Sequence, residues 1–341
     1  MKALQLTEPK HWQLIDIPDP SAPGEGEATV RVHQVGICGT DYSGYLGKMP
    51  FYSYPRIPGH ELGVEVVAVG PGVGGIRVGD RCSVEPYINC QKCYSCRTGH
   101  TNCCENHQTL GVHCDGGLRP FFKVPARKLH VSRALSFEQL ALVETLAIGC
   151  HAIDRGNPQS GEVVLVIGAG PIGLSVVEFA KLSGARTVVM DMNANRLRFV
   201  REVMGVADTI EATGTDADLS ALAELTGGTL AQVVVDATGS HHSMSAALKY
   251  VGFAGRLVYV GVTSEEVHFP HPLMHRREIS VLASRNALSP DFSRIIGLIE
   301  HGSINALPWM THRAALEEVP AVFTQWMRPE SAVLKALVSI G

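Results

Sequence analysis

A β-branched run, Val163–Ile167, leads directly into Gly168-Ala169-Gly170-Pro171-Ile172-Gly173. Asp191 closes the next β-branched run, eighteen residues beyond Gly173. A G-x-G-x-x-G series between a strand and a helix needs its glycines for a tight turn. It also needs them for close approach of a pyrophosphate to the helix N-terminus. The pattern predicts strand Val163–Ile167, helix Ile172–Ser183, strand Thr187–Met190 and helix Asn195–Met204. Helix Leu219–Leu225, strand Gln232–Asp236, helix Ser243–Val251 and strands Leu257–Val260 and Ile279–Ala283 follow. Strands and helices in alternation mean an α/β fold with a doubly wound parallel sheet. Gly168, Gly170, Pro171, Ile172 and Gly173 are thereby candidate dinucleotide-binding residues. Asp191 would accept from the adenosine ribose hydroxyls and repel a 2′-phosphate, which favours NAD over NADP. Arg196 and Arg198 pull the other way, because a guanidinium can hold that phosphate. The alternative is a glycine-rich turn with no ligand.

The chain before this unit has a different texture. Ala28–Val35 alternates apolar and polar residues, Val64–Val69 is β-branched, and turn signals are dense, as at Pro71-Gly72 and Gly74-Gly75. Leu140–Ala152 turns helical with one charge, Glu144, and Arg155–Gly161 reads as a polar linker. After Arg285 come two amphipathic patterns, Phe292–His301 and Arg313–Met327, and a strand, Val333–Ile340. A β-rich tail after a nucleotide unit suggests that the chain returns to its first domain. The expected domains are 1–151 with 285–341, and 152–284.

With 341 residues there is room for about two domains. A net charge of −4 points to no nucleic-acid or membrane surface, and no apolar run is long enough to span a bilayer. MKALQLTEPK lacks a signal-peptide core, so a cytoplasmic location is expected.

In a reducing compartment, clustered cysteines bind metal more often than they pair. Cys90, Cys93, Cys96 and Cys104 are spaced C-x2-C-x2-C-x7-C, which suits a closed tetrahedral zinc site; an iron–sulfur cluster is the rival. Cys103 has no assigned role, and Cys82, Cys114 and Cys150 read as small core residues. Val35–Glu61 offers a second ligand set: the thiol of Cys38, the imidazole of His60 and the carboxylate of Glu61, with Thr40 and Asp41 beside the thiol. Buried packing residues are the plain alternative for Cys38 and His60.

Taken together, GICGTD at 36–41, GHE at 59–61, GDR at 79–81, the four-cysteine stretch and GAGPIG at 168–173 resemble the zinc-containing medium-chain alcohol and polyol dehydrogenases. The resemblance runs nearly the whole length. It implies a GroES-like catalytic domain split around a Rossmann domain, an active site in the cleft between them, and a homodimer or homotetramer. It implies two zinc ions per chain. Cys38 and His60 would be catalytic ligands, and Glu144, in ALVETLA, would be the third, as in the sorbitol and threonine dehydrogenase branch. A lone carboxylate in an apolar helix also needs a cationic partner on physical grounds. Glu61 would lie next to the metal as a second carboxylate, and Asp41 would orient His60.

The resemblance implies NAD-dependent oxidation of a secondary hydroxyl. Thr40 accepts the proton; Thr238, Val260 and Gly261 line the nicotinamide; Lys335 reaches the pyrophosphate. Ser43 stands where a relay histidine is usual, Thr145 replaces the proline of the common VEP, and Leu118-Arg119-Pro120 follows DGG where a glutamate is usual. Within the branch, SYPRIPGHE, CQKCYSCRTGHTNCCE, GVHCDGG, SRNA and THR are similar to sugar-acid dehydrogenases of the L-galactonate and L-gulonate 5-dehydrogenase kind. The substrate expected is a sugar acid or polyol, with Arg56 and Arg285 as carboxylate partners and Arg313 and Lys123 as weaker candidates. A threonine-type amino-alcohol dehydrogenase and a catalytically idle NAD-binding scaffold with structural zinc are the rival readings.

Overall fold

The computed structural model describes residues 1–341. The chain divides into two units, Met1–Glu144 with Leu288–Gly341, and Thr145–Ala287. The expected limits at 151 and 285 fall a few residues away. One continuous helix, Phe137–Gly156, runs through the first limit, so no linker marks it; Arg155 and Gly156 belong to that helix.

The first unit is built on a seven-stranded sheet. Its order is Met310–Ala315, Lys335–Ser339, Glu27–Ile37, Glu61–Val69, Arg81–Val84 and Leu129–Ser132, with Phe121–Pro125 also paired to Glu27–Ile37. Lys335–Ser339 lies antiparallel to Glu27–Ile37, Ala336 opposite Ile37, so the end of the chain is paired with its beginning. Val30, Val32, Val35, Leu62, Val64 and Val66 are wholly buried and form the centre of this core. Arg313–Ala315, expected in a helix, belongs to the strand Met310–Ala315; the helix is Val319–Trp326. The apolar residues of the whole stretch fit either period, and pairing with Lys335–Ser339 decides for the strand.

The second unit has six parallel strands in the order Thr209–Glu211, Arg186–Asp191, Val163–Ile167, Ala231–Asp236, Val251–Tyr259 and Ser280–Ala283. Strand order reverses beside Val163–Ile167, as in a doubly wound nucleotide fold. Val163–Ile167 is buried at every position, which is why it reads as a continuous apolar run and does not alternate. The expected helix Ser243–Val251 is shorter, His241–Ala247 with a 3₁₀ turn at Leu248–Tyr250, and Val251 opens the next strand.

Candidate active site

Cys38 caps the short helix Gly39–Tyr45 in extended backbone, and its N–H donates to Asp41 Oδ2 at 2.9 Å. The same helix carries Thr40 and Ser43, both half-buried and three residues apart, hence on one side of it. His60 precedes the strand that Glu61 opens. The Cys38 sulfur, a ring nitrogen of His60 and a carboxylate oxygen of Glu61 lie within 4.8 Å of one another.

Glu144 is not in that group. It is buried on the helix Phe137–Gly156, and its carboxylate accepts the phenol proton of Tyr87. Burial pushes the Glu144 carboxyl up against the pull of His60, and the Tyr87 phenol is driven far above its usual range by burial and by Glu144. Tyr87 was not anticipated. The only sequence signal for it is a phenol in a buried strand, which needs a partner for its polar tip.

His60 Nδ1 lies 3.9 Å from Asp41 Oδ1, and each atom is buried without a hydrogen-bond partner. Burial opposes protonation of His60, but Asp41 and Cys38 outweigh it and hold the imidazole above its usual range. Burial raises Asp41 as well. Four potential anions, Cys38, Asp41, Glu61 and Glu144, thus surround one imidazole and one ammonium. A half-buried thiol beside a buried imidazole and buried carboxylates fits a divalent zinc ion well.

The ammonium is that of Lys335, which is a correction to its expected reach to a pyrophosphate. Its Nζ donates to both Glu61 oxygens, at 2.6 and 2.7 Å, and to the Ile37 carbonyl at 3.3 Å. The pair spans the strand Glu27–Ile37 between them. Gly36 sits opposite Glu61 there, and a Cβ on Gly36 would overlap the Glu61 carboxylate. Arg56 is a second correction. Its guanidinium bonds Asp115 Oδ1 at 3.1 Å and Ser53 at 2.6 Å and is committed to the fold. Arg313 pairs with Glu138, and Lys123 with Glu27 and Ser21. Arg285 is exposed in the second unit.

The sulfurs of Cys90, Cys93, Cys96 and Cys104 also lie within 4.8 Å of one another. Cys93 and Cys104 are 3.9 Å apart, far beyond a disulfide bond. Backbone N–H groups of Cys90 and Cys93 point at Cys104 and Cys90, and Asn89 donates to Cys96 at 3.5 Å. Arg127 grips the Asn89 carbonyls at 2.7 and 2.9 Å and so fixes which way that amide faces. Backbone N–H bonds from Lys92 and Cys93 bring the Cys90 thiol down to about 6. Four thiols met by N–H donors fit a tetrahedral zinc ion. Cys103 is exposed beside them, Cys82 and Cys150 are buried, and Cys114 is half-buried.

In the second unit, Gly168 turns with φ +98°, and Pro171 opens the helix Pro171–Leu182. A Cβ on Gly173 would overlap the Gly168 carbonyl, so the helix packs on the turn only with glycine there. Asp191 accepts from Ala169 N–H at 2.6 Å and from Asn193 N–H at 2.7 Å. One bond per oxygen leaves acceptor capacity for ribose hydroxyls. The Arg196 guanidinium lies beside Gly170. Thr238 donates its N–H and hydroxyl to Asp236, and the N–H groups of Val260 and Gly261 both reach the Asp236 carbonyl. Asp236 thereby fixes all three expected nicotinamide-side residues at the carboxyl end of the central strands, where such folds bind dinucleotides.

Residues 24–133 match the alcohol dehydrogenase GroES-like domain, and residues 171–301 match the zinc-binding dehydrogenase family. The chain is 38% identical over 315 residues to L-galactonate-5-dehydrogenase of Escherichia coli (strain K12), covering 92% of this chain and 91% of that one. It belongs to the zinc-binding alcohol dehydrogenase family. L-arabinitol 4-dehydrogenase of Hypocrea jecorina is 34% identical, with 98% and 92% covered. The solved alcohol dehydrogenase RspB of Escherichia coli CFT073, complexed with NADH, superposes with a TM-score of 0.90 at 30% identity over 99% of each chain. This zinc-binding dehydrogenase is an oxidoreductase that acts on hydroxyl groups, with zinc and a nicotinamide cofactor. No helix in it is long and apolar enough to cross a membrane.

Proposed function

We propose that the protein oxidises a secondary hydroxyl of a sugar acid, or of a polyol, with NAD as hydride acceptor. The observation that supports this most is the Cys38–His60–Glu61 donor cluster in a chain 38% identical to a sugar-acid dehydrogenase. Cys38, His60 and one of the carboxylates Glu144 and Glu61 would hold the catalytic zinc. Cys90, Cys93, Cys96 and Cys104 would hold a structural one. Zinc bound there supplies Lewis acidity that lowers the pKa of a substrate hydroxyl.

Thr40 Oγ1 takes the hydroxyl proton, and Ser43, on the same side of the helix, is the next hydroxyl available to it. Asp41 holds the Cys38 N–H and faces the His60 ring, so both ligands keep their orientation. Burial of Asp41, His60, Glu61 and Glu144 keeps water away from their charges. Asp191, already held by two backbone bonds, meets the ribose hydroxyls and makes NAD the cofactor, while Thr238, Val260 and Gly261 position the nicotinamide. Lys335, neutralising Glu61, leaves Glu144 as the better resting carboxylate ligand. Arg285 is the side chain we assign to a substrate carboxylate. The reading includes a cytoplasmic homodimer or homotetramer.

The test compares kcat/KM for an aldonate and the matching neutral polyol, with NAD and with NADP, in wild type and Arg285→Met. A charge-assisted contact of about 2–3 kcal/mol corresponds to a ~30–150-fold selective loss on the acid. If wild type shows no preference for the acid, a neutral polyol replaces it. If NADP is preferred, the role given to Asp191 is wrong.

A further inference from the structure

His60 is delivered to the donor cluster by a segment, Ser53–Gly59, that lies in no helix or strand. Arg56 is bridged to Leu6 through both backbone groups, at 2.8 and 2.9 Å. Beyond it, Ile57, Pro58 and Gly59 have no strand partner. Their carbonyls are taken instead by one loop. Gly116, Gly117 and Leu118 N–H donate to Ile57, Gly59 and Pro58 oxygens at 2.6, 2.9 and 3.0 Å. The contact is backbone on backbone, since a Cβ on Gly116 would overlap the Gly59 carbonyl.

One side chain completes it. Asp115 Oδ1 accepts the Ile57 N–H at 3.1 Å and the Arg56 guanidinium at 3.1 Å. Pro55 and Pro58 have no N–H, so Ile57 is one of the few donors this stretch can offer. The Asp115 carbonyl is itself held by Arg119 Nη2 at 3.1 Å. Asp115 therefore sits three residues from His60 along the bonded path yet belongs to neither donor cluster.

We propose that Asp115 is a positioning residue for the catalytic metal site: it latches Arg56-Ile57 and so fixes where the His60 imidazole stands relative to Cys38. The inference rests on the reading of Cys38 and His60 as zinc ligands. Without the latch, the Ile57 N–H loses its acceptor and the Arg56 guanidinium keeps only Ser53, and the segment carrying His60 gains freedom while Cys38, on its own helix, does not. Arg56, expected to grip substrate, acts here as the counter-ion of the latch.

The test measures zinc release from the intact enzyme into a chromogenic chelator, with the d–d spectrum of cobalt exchanged into the catalytic site as second readout. Asp115→Ala and the better-folding Asp115→Asn are compared with wild type. Partners that orient ligands from outside the coordination sphere affect metal affinity by about 10–100-fold. The expected result is a change of that size at one zinc only, with altered cobalt bands, the four-cysteine zinc unchanged, and Asp115→Asn milder than Asp115→Ala. Asp115→Glu should recover part of the loss. Three outcomes overturn the proposal. One is catalytic zinc within twofold of wild type in both variants. Another is equal weakening of both zincs, which means general loosening. The third is a wild-type enzyme with one zinc per chain, which removes the underlying zinc assignment as well. Two zincs in wild type with unchanged release in the variants removes the latch alone.

Discussion

Replacing Lys335 with Met tests the centre of the site most directly. The ammonium meets both Glu61 oxygens, and neither side chain has appreciable contact with water. Burial pulls the Lys335 pKa down, but Glu61 and Cys38 more than restore it and hold it above the usual 10.5. A group raised in the folded state contributes stability that is fully present below its unfolded pKa. The pair is thus intact throughout the neutral range, and lost only when pH rises through the folded value. Met fills similar volume without the charge, so the variant takes the ammonium away from the buried Glu61 carboxylate. Breaking a buried pair from one side costs about 3–5 kcal/mol. At a urea slope of about 3 kcal/mol/M, the midpoint falls by about 1–1.7 M.

Two controls separate this from simple loss of packing. Glu61→Gln with Lys335→Met removes both charges and should recover much of the loss, giving a coupling energy well above the ~0.5 kcal/mol expected of independent sites. Added zinc should protect Lys335→Met more than wild type, because the stranded carboxylate lies within 4.8 Å of the Cys38 and His60 donor atoms. Urea titrations at neutral pH, with chelator and with zinc, decide it. A single variant within about 1 kcal/mol of wild type in chelator, or a double variant no better than the single, would refute the view of Glu61 as a carboxylate neutralised by Lys335.

Metal analysis should find two zincs in wild type and one in Cys38→Ser, which keeps a near-normal melting curve without turnover. Cys93→Ser should lose the other zinc together with stability; full activity in Cys38→Ser protein would end the catalytic assignment. Asp191→Asn removes the charge and keeps one acceptor oxygen where the carboxylate offers one each to Ala169 and Asn193 N–H, so steady-state kinetics should show a higher KM for NAD and a smaller penalty for NADP. For Glu85, burial pushes upward, but His130 at 3.5 Å and Lys128 outweigh it and hold the carboxyl below its usual 4.5. A lowered carboxylate contributes stability present above the unfolded value and lost as pH falls through the folded one. Denaturation curves should therefore show Glu85→Gln well below wild type at pH 7, with the gap narrowing below about pH 4.5.

The parts of this protein legible in its sequence are those where a local rule already names the chemistry. Gly168, Gly170 and Gly173 need only the strand before them and the helix after them, and both are present. Four cysteines within one short stretch can hardly avoid one another, and their sulfurs converge. The misreadings share a different property. Lys335 and Arg56 are long cations, and what such a side chain binds depends on which anion the fold brings within reach. For Lys335 that anion is 274 residues away, on a strand it reaches across Gly36; for Arg56 it is 59 residues away, in a loop. The family resemblance implied a cofactor phosphate for Lys335, and nearness to His60 suggested a substrate carboxylate for Arg56. A protein carboxylate that is already in place needs no binding entropy to meet them, so it prevails wherever it lies within reach. Gly36 follows the same rule. Its decisive property is the space above it, through which Glu61 and Lys335 meet, and that space exists only once three strands are side by side.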